Sequence, residues 1–208
     1  MSDYLKNPDA IYSLSFATIE AEADLSLVPA NARRLATRIV HACGMPEVVR
    51  KLVVSPDLVP VAQQALSKGC RILVDAEMVR HGIILSLMPD RDRIICTLND
   101  QRTKALASEM ANTRSAAAVE LWRPYLEGAI VVIGNAPTAL FHLLDILDAG
   151  APRPAAIIGF PVGFVGATES KDQLVANSRG IPFAALRGRQ GGSAMAAAAI
   201  NAILDNGQ

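Results

Sequence analysis

Apolar residues fall along this chain in two patterns. In the second half they form short continuous runs, residues 129–133 and 155–158, with every position apolar. Such runs suit strands covered on both faces, as in a parallel sheet beneath helices. Each run ends near a glycine, Gly134 or Gly159, and the turn that follows reads as the opening of a helix. Pro137 suits a first helical turn, with Asn135 or Thr138 as caps, and Thr168 or Ser170 would cap the helix after the second turn. Gly163 and Gly166 would let backbone approach a ligand closely. The pattern predicts unpaired amides converging at the carboxyl ends of the strands, where open α/β sheets bind ligands, preferably anionic ones. Residues 71–75, 94–97 and 181–186 read as further strands.

In the first half the period is helical. Ala10, Ile11, Leu14, Ala17 and Ile19 recur at that spacing over 8–23, and Leu35, Ile39 and Ala42 form a stripe over 29–42, with Gly44 placed to end it. Ser55 and Pro56 read as the cap and first position of a third helix, stopped by Gly69. Residues 76–80 suggest a helical turn, 101–110 and 113–126 have helix-forming composition with Asn112 or Thr113 as cap, and 193–204 is an alanine-rich final helix. Strand and helix alternate three times in the second half. That predicts α/β architecture: a single domain over 1–208, in three α/β/α layers around a mostly parallel central sheet, with the helical first half packed across it. A chain of 208 residues suits one well-buried core.

Composition narrows the function classes. Lys plus Arg number 20 and Asp plus Glu number 20, so no net field attracts a nucleic-acid backbone or an anionic membrane, and neither is expected as a partner. Cys43, Cys70 and Cys96 are an odd count without metal spacing and read as reduced, buried thiols of a cytoplasmic protein. No leader or membrane span is read from the sequence.

His41, in Val-His-Ala-Cys-Gly, is the candidate for proton transfer, because histidine titrates nearest neutral pH and helix carboxyl ends favour imidazolium. A structural histidine bound to a backbone carbonyl is the competing reading, and the residues alone leave the two open. His81 and His142 lean structural. His41 with Cys43 lacks a second ligand pair, so no metal site is expected. Asp75 and Glu77 could pair as acid and base, but an aspartate at a strand end more simply caps a turn. The glycine turns match neither a dinucleotide fingerprint nor a phosphate loop, which argues against a nicotinamide oxidoreductase. Arg114 and Lys171 stand near helix starts, where a cation is misplaced unless an anion joins it, so both point to carboxylate binding. Arg187 and Arg189 read as solvated surface.

Six segments carry a resemblance: IVHACG (39–44), DAEMVRHG (75–82), NTRSAAA (112–118), IGNAPTALF (133–141), GFPVGFVGATESK (159–171) and RGRQGGSAMAAAA (187–199). Through them the chain resembles, nearly end to end, the precorrin-8X and cobalt-precorrin-8 methylmutases. The resemblance implies a homodimeric isomerase of cobalamin biosynthesis that moves a methyl group from C-11 to C-12 of the macrocycle, giving hydrogenobyrinate or cobyrinate, with no cofactor. It places the family's proton-donating histidine on His41, and implies substrate contacts from Ser15, Arg114, Asn135, Thr138, Val162, Gly163 and Lys171. The implied partners are a corrinoid tetrapyrrole substrate and product, with possible transfer to the next pathway enzyme. Leu14 departs from the basic residue expected in some members, which would weaken one carboxylate contact. A non-catalytic tetrapyrrole carrier is the alternative from another class.

Overall fold

The computed structural model describes residues 4–205. Six strands form one sheet: β1 (Leu52–Val54), β2 (Ile72–Val74), β3 (Ile94–Cys96), β4 (Ile130–Ile133), β5 (Ala156–Gly159) and β6 (Phe183–Leu186), in the order β1-β6-β5-β4-β2-β3. All neighbours are parallel except β1 and β6, so the sheet is mostly parallel with one antiparallel edge. Nine helices are described: α1 (Pro8–Glu22), α2 (Arg33–Cys43), α3 (Leu58–Ser67), α4 (Glu77–Gly82), α5 (Thr103–Glu109), α6 (Arg114–Glu120), α7 (Pro137–Asp148), α8 (Ala167–Ala176) and α9 (Ser193–Leu204).

The alternation of side chains along each strand sorts them into two cores. Ile130 and Val132 of β4, with Ile72 and Val74 of β2, join Leu35 and Ile39 of α2, Leu58 of α3, Val79 of α4 and Ile200 of α9. Val131 and Ile133, with Leu73, face the opposite way onto Val119, Trp122, Leu140, Leu143 and Leu174, from α6 to α8. Every strand residue of β2, β4 and β5 is buried, which is why their sequence shows no polar alternation. The three layers and the central parallel sheet are as the pattern predicts.

Four local readings need correction. Strand β1 was not foreseen: three residues on an antiparallel edge carry almost no periodicity, although Leu52-Val53-Val54 before Ser55-Pro56 is its signal. Ser55 does not cap α3, which begins at Leu58; its hydroxyl exchanges hydrogen bonds with the Phe183 main chain and prolongs the β1–β6 pairing. The helix expected over 113–126 ends at Glu120 because Pro124 lacks an amide hydrogen and restricts its predecessor. The cysteines are unpaired as expected but only half-buried. Helix α1 is present, yet Ile19 is its one buried residue, while Ile11 and Leu14 are 46% and 61% exposed.

Candidate active site at the carboxyl edge of the sheet

Helix α2 ends at Gly44, whose left-handed conformation (φ +68°) turns the chain toward β1. Because β1 runs antiparallel to β6, its first residue lies beside Leu186 at the carboxyl edge of the sheet, and the end of α2 is carried there with it. His41 stands exposed in this last turn. Its Nδ1 lies 3.0 Å from Ser15 Oγ on α1, and its ring is flanked by Phe16 and Tyr12 at centroid distances of 5.3 and 5.9 Å. Tyr12 and Phe16 stack on each other at 4.3 Å.

One turn earlier, Arg38 lies over both of these rings, 5.8 and 5.9 Å from their centroids. One of its terminal nitrogens donates to Asp205 at 2.6 Å, and its buried Nε has no hydrogen-bond partner. Sequence reasoning missed Arg38; its signal was its place three residues before His41, on the same side of the helix. Two clefts flank the group. One of about 260 Å³ is lined by Ser15, His41, Gly44 and Pro46, and one of about 770 Å³ by Tyr12, Phe16, Glu20, Asp24, Arg33 and Arg34.

The turns at the strand ends are not the open anion cradle that the sequence suggested. Asp75, directly after β2, is 1% exposed and accepts hydrogen bonds from the amides of Gly134, Asn135 and Ala136 at 2.8, 2.9 and 2.8 Å. Burial pushes its carboxyl pKa up, against the three amides, which pull it down. Aspartate thus does cap a turn, but the one after the neighbouring strand. Neither Asn135 nor Thr138 caps α7. Asn135 is exposed, and Thr138 shares a 2.8 Å hydrogen bond with Thr113, which caps α6 as expected. A side chain on Gly134 would meet Ala196, Val79 and the Ser193 main chain at 2.8–2.9 Å, so only glycine fits between the sheet, α4 and α9.

The second turn is also filled by main-chain bonds. The Val162 amide donates to the Asn135 carbonyl at 3.3 Å, and the Gly163 amide to the Arg189 carbonyl at 3.2 Å. Thr168 and Ser170 do not cap α8, which starts on Gly166. Lys171 is not at a helix start; it is the fifth residue of α8, fully buried, donating to the carbonyls of Pro161 at 2.9 Å and Gln190 at 2.7 Å. Burial lowers its pKa to about 8. Above it Val162, Phe164 and Val165 are exposed, with Arg189 over the Phe164 ring at 5.3 Å.

Arg114 does stand at the first position of α6, where it donates to the Leu98 carbonyl and to Asn99 just beyond β3. The structure therefore forms two groups: Ser15 with His41, and Asn135 with Val162, Gly163 and, beneath them, Lys171. Gln190 ties the second to the segment after α2, through Met45 and Lys51. His142 pairs with Glu120 at 2.8 Å, and His81, largely exposed, lies 3.8 Å from Glu77. No helix among the described residues is long and apolar enough to cross a membrane.

A family model described as precorrin-8X methylmutase matches residues 10–206. A precorrin-8X methylmutase of Pseudomonas aeruginosa is 58% identical over 98% of both chains. A cobalt-precorrin-8 methylmutase of Methanothermobacter thermautotrophicus is 40% identical over 86% of this chain and 82% of that one. Among solved structures, the precorrin-8x methyl mutase from Thermus thermophilus superposes with a TM-score of 0.82 at 32% identity, over 94% of each chain.

Proposed function

The chain belongs to the precorrin-8X methylmutase family, the isomerases of cobalamin biosynthesis, and from that premise we propose that it moves a methyl group from C-11 to C-12 of precorrin-8X to give hydrogenobyrinate, with His41 as proton donor. The metal-free substrate is favoured over cobalt-precorrin-8 because the two relatives at 58% identity both carry the precorrin-8X name, whereas relatives with the cobalt name share 30–40%.

The observation that carries the chemistry is the pair Ser15–His41. The serine hydroxyl donates to Nδ1 of a neutral ring, which keeps its proton on Nε2, and accepts from Nδ1–H of imidazolium. In both states Nε2–H is available to a ligand, since no protein group among the described residues hydrogen-bonds Nε2. The imidazolium gives its Nε2 proton to the conjugated macrocycle and is left as the neutral Nδ1–H tautomer, which donates to the serine oxygen. The added proton withdraws electron density and eases migration of the methyl group around the ring edge. Substrate is both methyl donor and acceptor, so the protein's task is to hold one tautomer rigidly and place one proton.

Arg114, Thr138 in the first turn of α7 and the loops bearing Asn135, Val162 and Gly163 would bind the acid side chains and the ring periphery. Ser15 would act through the His41 ring, and Lys171 through the loops it ties. The protein would work as a cytoplasmic homodimer. Exposed Ile11 and Leu14 on α1 and Phe164 and Val165 beyond β5 support a covering second copy, and three unpaired thiols support a reducing compartment.

The test is the visible spectrum of precorrin-8X incubated with the protein and with His41→Ala. Conversion by the wild type and binding without conversion by the variant would bear out both activity and role. Binding without conversion by both, with precorrin-8X and with cobalt-precorrin-8, would make the protein a tetrapyrrole carrier.

A further inference from the structure

Resting on that reading of the site, the geometry points to Asp75 as a positioning residue, which never touches substrate but holds the turn after β4 so that Asn135 and the loop bearing Val162 and Gly163 meet it. Asp75 leaves β2 one residue beyond Val74, which pairs with Val132 of β4, and this register sets its carboxylate against the start of the next turn. There both oxygens are taken: Oδ1 by the Gly134 amide and Oδ2 by those of Asn135 and Ala136. No lysine, arginine or histidine pairs with Asp75 among the described ion pairs, so these amides are its counter-charge.

Two features give this arrangement a consequence for the ligand. First, the amides of the turn that leads into α7 already hold an internal carboxylate, and a substrate carboxylate would have to displace a buried one to use them. The turn therefore offers outward the Asn135 side chain and not its amides, and the acid groups fall to side chains such as Arg114. Second, the ordered turn passes its position on: the Asn135 carbonyl accepts from Val162, and the next residue, Gly163, donates to Arg189. Gly134 is wedged against α4 and α9 on the other side, so the carboxylate and the wedge together leave the turn one position.

The experiment is a double-variant cycle of Asp75→Asn and Asn135→Ala. It reads KM and kcat for precorrin-8X, the Kd for hydrogenobyrinate by absorption titration, and the urea unfolding midpoint. Asparagine keeps the shape but puts an NH2 in place of one oxygen, so that with its remaining oxygen turned to Asn135 and Ala136 the Gly134 amide is left without an acceptor and faces a donor. Asp75→Asn is expected to raise KM and product Kd about tenfold with kcat within about threefold of wild type, and the double variant to bind no worse than the weaker single one. A lowered unfolding midpoint with unchanged KM and Kd would overturn the inference, as would losses that multiply in the double variant. If Asp75→Asn does not fold, Asp75→Ser, which keeps one acceptor, takes its place in the cycle. Wild type that neither binds nor converts overturns the functional reading and this inference together, whereas a converting wild type confines failure to Asp75.

Discussion

His41 and Asn135 both stand exposed at the same edge of the sheet, yet they are held in opposite ways. His41 is positioned by side chains alone: a serine hydroxyl on another helix and two aromatic edges, with α1 itself burying only Ile19. Asn135 and the loop to Gly163 are positioned through their main chain, by a buried carboxylate that takes amides and a buried ammonium that takes carbonyls. The contrast teaches where adaptability lies. Side-chain support on a lightly packed helix costs little to rearrange when a ligand or second copy arrives, whereas a backbone tied to buried charges moves only if those charges lose their partners. The proton-donor role proposed for His41 needs the first kind of freedom, and the platform proposed at Asn135 needs the second.

The largest blow to this contrast comes from the helical side. His41→Ala should lower kcat by about 100-fold to 10,000-fold, the usual worth of a positioned proton donor, with the unfolding midpoint unchanged because the ring is exposed. On the loop side the reverse pattern is expected. A side chain at Gly191 would stand 2.7 Å from the Pro161 carbonyl oxygen and closer still to that of Phe160, and so Gly191→Ala should cost about 3 kcal/mol in urea unfolding, as overpacking against backbone does.

Ser15→Ala sharpens the comparison with a smaller effect. Losing one hydrogen bond of about 1 kcal/mol should reduce kcat roughly fivefold to tenfold, with KM little changed, if the serine acts through the ring. A rise in KM alone would instead make Ser15 a substrate contact.

A further effect is one of pH. The folded pKa of Lys171 is lowered by burial from 10.5 to about 8, so between these values the unfolded chain binds more protons than the folded one. Its contribution to stability therefore rises as pH increases from about 8 toward 10.5. A neutral amine still has two N–H groups for its two carbonyls. Lys171→Met should flatten this part of the stability profile relative to wild type, as read by unfolding at pH 7.5, 9 and 10.

Legibility in the sequence followed the physics of each element. Buried strands β4 and β5 were plain because parallel strands covered on both faces must be apolar throughout, and Gly44 and Thr113 were plain because helix ends demand such residues. His41 stood out by residue type and by its motif. The partners that act across the fold were not legible. Asp75 bonds a turn 59 to 61 residues away, and Lys171 reaches back to Pro161 and on to Gln190, so local spacing alone could not pair them. Both carried a local reading, as turn cap and as misplaced helix-start cation, that the tertiary structure redirected.

By itself, then, the sequence determined the α/β class and the family and singled out His41 as the candidate proton donor, because apolar periodicity, turn chemistry and motif content are properties of neighbouring residues. Only the tertiary structure decided that Ser15 meets His41, that Arg38 lies over the aromatic stack, and that the strand-end amides are already occupied. Those facts depend on which helix ends and which strand registers are brought side by side, and that is set by burial of two cores on opposite faces of one sheet.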